Sequence, residues 1–249
     1  MRKHLIWVLG VVAVAGSVVV AGIAIAAPNT QSIVASTKPK KVPKNEKVPI
    51  SLDVNVFAEN PTSPTGIAFP TTKAVVDFDK NILFQQKGYP TCDPSQFGSS
   101  TTTQDVKDEC GDAAIGDGSA TVKVPTAAGA PPVTVAADVV AANVAGNKVL
   151  LHSQNSLSGG QPLVGQLKKR GGTYGTTLTV PVPPLAGGAA VITQFQTAID
   201  KVAYRHNGKR LAIISGNCKD KTQDFRASFT DNQGQVAVGT DTYNCKRKG

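Results

Sequence analysis

"VPISLDVNVFA", residues 48–58, sets the reading of the whole chain. Ile50, Leu52, Val54 and Val56 alternate with Ser51, Asp53 and Asn55. A period of two sends successive side chains to opposite faces of an extended backbone, so this stretch predicts a strand with one buried face. Similar runs return in KAVVDFD (73–79), SATVKVP (119–125), PVTVAADVV (132–140), NKVLLHS (147–153) and TTLTVPV (176–182), separated by Gly, Pro and Asn. In VITQFQTAIDKVAYRHNGKRLAIISGNC (191–218), Asn207-Gly208 falls between two apolar runs. A type I′ turn needs positive φ at both central residues, which makes Asn-Gly a strong hairpin signal. FRASFTD (225–231) and QVAVGTDTYNC (235–245) form a last pair around Asn232–Gly234.

About ten short strands without a sustained helical period predict an all-β fold. The expected architecture is a single antiparallel β-sandwich, with a β-barrel as the alternative. The exception is TTTQDVKDEC (101–110), where Thr101–Thr103 could cap a short helix running into Cys110. A composition of 41% hydrophobic but only 5% aromatic residues predicts an aliphatic core.

Residues 1–27 begin with Arg2 and Lys3 and run apolar from Leu5 to Ala27, ending Ala24-Ile25-Ala26. That order is a secretory signal; a single N-terminal membrane anchor is the alternative, because about 20 apolar residues suffice to cross a bilayer. Both readings place the remainder outside the cytoplasm, secreted or at the cell surface. Residues 28–48, rich in Lys and Pro, read as a flexible arm, 49–245 as the β domain and 246–249 as a basic tail. Without residues 1–27 the chain keeps 24 basic against 17 acidic residues, a net +7. Lys38, Lys40, Lys41, Lys44 and Lys47 of the arm and Lys246, Arg247 and Lys248 of the tail carry much of this excess. Such clusters attract anionic cell-envelope polymers or lipid headgroups. Nucleic acid is not expected, since no aromatic platform or inserted helix accompanies the charge.

Four cysteines, Cys92, Cys110, Cys218 and Cys245, are spaced 18, 108 and 27 residues apart. Zinc favours pairs two to four apart and thiol redox chemistry favours Cys-x-x-Cys, and neither spacing occurs. In an exported chain an even count points to disulfides. Of three connectivities, the expected one is sequential, Cys92 with Cys110 and Cys218 with Cys245. Residues 88–118 then read as a polar loop stapled at its base, with little apolar surface to bury.

VVDFDKNILF, KGYPTC, AAIGDGSATV, YGTTLTVPVPPLAGG, ITQFQTAI and NGKRLAIISGNC together resemble a family of secreted actinobacterial proteins of uncharacterised function. The likeness spans about Pro49 to Cys245. It implies export, a four-cysteine framework and a β-rich body, and carries over no catalytic residue.

Chemical motifs are near misses. Asp77 and Asp79 in DFDKNI start like a calcium loop, but Ile82 replaces the glycine at position six and Gly88 the glutamate at position twelve. They read as outward residues of a strand. Asp112 and Asp117, in GDAAIGDGSA, read as parts of a Gly-rich turn. GQPLVGQL (160–167) lacks the Lys-Ser/Thr of a phosphate loop and reads as a loop. His152 is expected at a strand end and His206 beside the Asn-Gly turn. No Gly-x-Ser-x-Gly elbow occurs. After Trp7 there is no tryptophan to stack on sugars. No catalytic, metal-binding or cofactor-binding residue emerges, and no small-molecule ligand is identifiable. The expected function is a non-catalytic exported module for binding, adhesion or structure at the cell envelope or in the medium. An extracellular hydrolase, for example a glycosidase whose site forms only in the fold, is the alternative.

Overall fold

The fold, described in a computed structural model for residues 29–126, 130–201 and 203–248, is built on one sheet of eleven strands. In chain order these are β1 (Thr30–Lys38), β2 (Ser51–Glu59), β3 (Thr71–Asp79), β4 (Ala114–Val124), β5 (Val133–Val144) and β6 (Lys148–Asn155). β7 (Gly159–Lys169), β8 (Tyr174–Pro181), β9 (Val191–Ile199), β10 (Thr222–Asp231) and β11 (Val236–Asn244) complete it. They lie in the order β1-β2-β9-β4-β5-β6-β7-β8-β3-β10-β11, and every paired neighbour is antiparallel.

The all-β class holds. One continuous sheet curls until its two edges meet, so the architecture is the nearly closed barrel rather than two stacked sheets. Eleven strands of strictly alternating direction leave the first and last running the same way, and β1 and β11 share no backbone ladder. Side chains bridge them instead. The Asp241 carboxylate accepts the Ala35 backbone N–H at 2.8 Å, and the Tyr243 hydroxyl donates to the Thr37 carbonyl at 3.0 Å. Beyond this seam, Lys41–Val42 and Lys246–Arg247 form a short parallel ladder.

Where a flexible arm was expected over residues 28–48, the described part, residues 29–48, is built into the fold. Gln31, Ile33, Ala35 and Thr37 alternate inward along β1, and Val42 is buried in the main core. The polar partners in this pattern, Gln31 and Thr37, hid the strand from a reading based on apolar periodicity. The basic tail is likewise held, with the Lys246 N–H donating to the Lys40 carbonyl at 2.8 Å. GQPLVGQL also differs from expectation, being part of β7, where Leu163 and Leu167 face inward around Gly165.

One end of the barrel is closed. Val48–Pro49, Ile214–Gly216 and Ile82–Phe84 form a small sheet there, and Cys218–Cys245 ties the loop before β10 to the end of β11. A hairpin of Ala203–His206 and Lys209–Ala212 turns at Asn207 and Gly208, with φ of 48° and 74° as the Asn-Gly signal requires. Helix α1 (Thr103–Cys110) starts at the N-cap Thr102, whose hydroxyl and backbone exchange hydrogen bonds with Asp105 in a capping box. Cys92–Cys110 fastens this segment, and no free cysteine remains. Such bridges fit an oxidising compartment. The segment is less polar in effect than its composition: Phe97, Val106 and Ala113 pack on Val140, Ala142 and Leu150 of the barrel's outer face. No helix among the described residues is long and apolar enough to cross a membrane; the predicted signal or anchor, residues 1–27, lies outside them.

Candidate functional site

Strand alternation aims one set of side chains into the barrel. β2 contributes Leu52, Val54 and Val56, β3 contributes Ala74, Val76 and Phe78, and β8 contributes Leu178 and Val180. They surround a cavity of about 110 Å³. Apart from the hydroxyls of Thr71 and Thr197, every side chain in its wall is aliphatic or aromatic. Eight strands already give a barrel room for a small ligand, and eleven give more. Phe78, Phe84, Phe195 and Phe229 take up part of that room, with Phe84 against Phe78 at 4.8 Å between ring centroids. Apolar cavities near 150 Å³ stay dry and admit benzene. This interior is of that kind and order of size.

Two details shape it. At Gly165 an added Cβ would lie 2.7 Å from Leu178 Cδ1 and 2.9 Å from Val180 Cγ2, so the glycine lets two neighbours fill its place in the wall. Thr197, by contrast, brings a buried hydroxyl with no hydrogen-bond partner among the described residues. Leaving such a group unpaired costs about 1–3 kcal/mol.

The cavity leads to the end opposite the small sheet. There a second hollow of about 230 Å³ lies among Pro70, Pro183, Pro184 and Leu185, and it shares Thr71, Val182 and Ile192 with the interior wall. The chain crosses this mouth in a left-handed turn, with φ of 46° at Ala186, 68° at Gly187 and 91° at Gly188. Neither hollow is lined by Asp, Glu, His, Lys or Arg.

The sequence-level candidates lie elsewhere and do not converge. Asp77 points out of the barrel as expected, but it is fully buried beneath Arg170 and Arg226, at 2.7 and 2.6 Å, and accepts from the Thr177 hydroxyl at 2.5 Å. Burial alone would raise its pKa; the hydrogen bonds from Thr177, Arg226 and Arg170 outweigh that and hold it below the usual carboxylate range. Asp79 is buried too, accepting the backbone N–H groups of Asn81 and Asp224, and desolvation pushes its pKa up. Asp117 pairs with Lys107 at 2.7 Å rather than with Asp112. Among the described residues no group of three or more His, Cys, Asp or Glu is placed to hold a metal.

His152 lies within β6, not at a strand end, and is fully buried under the 97–105 segment. Its Nε2 meets the Thr101 carbonyl at 3.1 Å, and its Nδ1 has no partner among the described residues. Desolvation lowers its pKa, against smaller raising effects from Thr101 and Asp105. His206 belongs to the hairpin strand Ala203–His206, and its side chain lies outside the described residues. The four cysteines pair in the expected sequential order, with Cα separations of 5.0 Å for Cys92–Cys110 and 5.9 Å for Cys218–Cys245.

No protein-family model, curated protein or solved structure matches this chain. The interior was the part that sequence reasoning missed. Its only trace was the inward set of alternating residues, which includes the small Ala74 and Gly165 among larger ones.

Proposed function

We propose that this protein is a non-catalytic exported binding barrel that holds an apolar guest in its interior. One observation carries the reading: a cavity walled by apolar side chains continues into a hollow at the mouth. Burial of apolar surface is the dominant favourable term for such a guest, and a preformed site avoids the cost of ordering one. Export rests on the apolar segment Leu5–Ala27 and on two disulfides. Hydrolysis would call for convergent ionisable groups in a cleft. Neither the interior nor the mouth carries them.

Thermal unfolding with and without decanol tests the reading. A ligand that binds only the native state stabilises it by RT ln(1 + [L]/Kd), about 2.7 kcal/mol at a hundred times Kd. The expected result is a melting temperature that rises with decanol, and an Ala74→Leu variant, filled at an inward position of β3, that no longer responds. No rise in the parent protein, or an equal rise in the filled variant, would overturn it.

A further inference from the structure

The seam brings together two basic stretches that are far apart in sequence. Lys41 pairs with Lys246 and Val42 with Arg247 in parallel register, which fixes the neighbouring Lys38, Lys40, Lys44 and Lys248 around the same edge of the closed end. The ladder is firm: the Lys246 N–H donates to Lys40 and the Lys248 N–H to Val42, both at 2.8 Å. The Arg247 guanidinium donates to the Cys218 carbonyl, next to the disulfide.

Residues in register on adjacent strands point to one face, and like charges placed so are destabilising. Lys41 and Lys246 are both exposed and occupy such positions, and neither has an acidic partner among the described ion pairs. The same is true of Lys38, Lys40, Lys44 and Lys248. No acidic residue occurs in 38–45 or 245–248. The fold thus maintains a cationic cluster with no acidic ion-pair partner among the described residues; Lys40 alone rests over a ring, that of Tyr243, at 5.8 Å, and Glu46 is the nearest acidic residue in sequence.

We propose that this edge is a binding surface for a linear polyanion, which supplies the missing counter-charge. A bilayer is the less suitable partner. Contact with lipid usually adds inserted apolar side chains to the charge; of the five large exposed apolar residues, Val133, Leu157, Val236 and Val238 sit toward the other end of the barrel and Val34 lies mid-strand on β1, none of them beside the cluster. The surface is separate from the interior cavity, so it holds whether or not the barrel takes a guest.

Long-chain polyphosphate binding by the purified chain, titrated from 50 to 300 mM salt, is the test, with vesicles of anionic lipid as the second arm. The expected affinity falls steeply with salt, because bound counterions are released, and each contacting lysine removed lowers the slope by about one. Lys41→Glu is expected to weaken binding about tenfold while raising the melting temperature, since it turns a repulsive neighbour of Lys246 into an attractive one. A merely structural role would not move the two readouts in opposite directions. Lys73→Glu, an exposed charge swap at the mouth end, should leave affinity within about twofold. Equal loss in both variants would reduce the effect to net charge and overturn the proposal. So would binding to vesicles without binding to polyphosphate.

Discussion

The two ends of the barrel solve opposite problems with the same kind of strand. At the closed end Ile50, Ile82, Ile213, Ile214 and Val42 are each no more than 2% exposed, and a short chain of hydrogen bonds links buried Thr37, Gln223 and Asn217. The Thr37 hydroxyl donates to Gln223 Oε1 at 2.8 Å, and Gln223 Nε2 donates to the Asn217 carbonyl at 3.2 Å. At the mouth the core breaks into small clusters, such as Ala58, Ala68 and Val191, around a hollow rimmed by prolines. A closed end sealed by fully buried aliphatic side chains fixes the barrel, which leaves the mouth free to remain hollow. The packed seal lies at the closed end, and the cavity runs from the mouth down to Phe84 of the closing sheet.

The largest expected effect separates them directly. Phe225 is fully buried in the main core, so Phe225→Ala should cost about 3–5 kcal/mol in denaturant unfolding. Pro183→Ala at the rim should stay within about 0.5 kcal/mol. Comparable losses at the two sites would erase the division between the ends.

Acid sharpens the contrast next. Asp77 is folded with a lowered pKa, so its contribution is fully present above the unfolded value near 3.9 and is lost as pH falls through the folded one. Asp79 acts in the opposite sense: burial raises its pKa, and protonation relieves a cost. Asp77→Asn should lose about 2 kcal/mol at pH 7, less than the 3–5 typical of a broken buried pair because Arg170 and Arg226 reach solvent. Between pH 4 and 3 the variant should then lose less stability than the parent. An unchanged acid profile, read from urea midpoints, would remove Asp77 from the account.

The smallest effect has the opposite sign. Thr197→Val replaces the unpaired hydroxyl in the cavity wall with a methyl and should stabilise by about 1 kcal/mol. Destabilisation by a similar amount would mean that the hydroxyl has a partner in solution.

Most of the barrel was legible because alternation is a direct consequence of strand geometry. β2, with Ile50 just before it, could be read from its side chains alone, and Asn207-Gly208 marked its hairpin through φ. β1 and β7 could not be read this way, since Gln31, Thr37, Gly160 and Gly165 occupy inward or tightly packed positions that an apolar pattern does not register. The choice between sandwich and barrel was also beyond local pattern. It depends on β1 meeting β11, more than 200 residues away in sequence, through Asp241 and Tyr243. A cavity is less legible still, because it is a property of what several strands leave unfilled.

Methyl NMR of the Ile, Leu and Val side chains during a decanol titration tests the interior site most directly. The expected result is movement of Leu52, Val76, Leu178 and Val180, which line the cavity, with Val34, Val236 and Val238 on the outer surface unmoved. Shifts confined to those three exposed valines would place the guest on the surface and contradict the account.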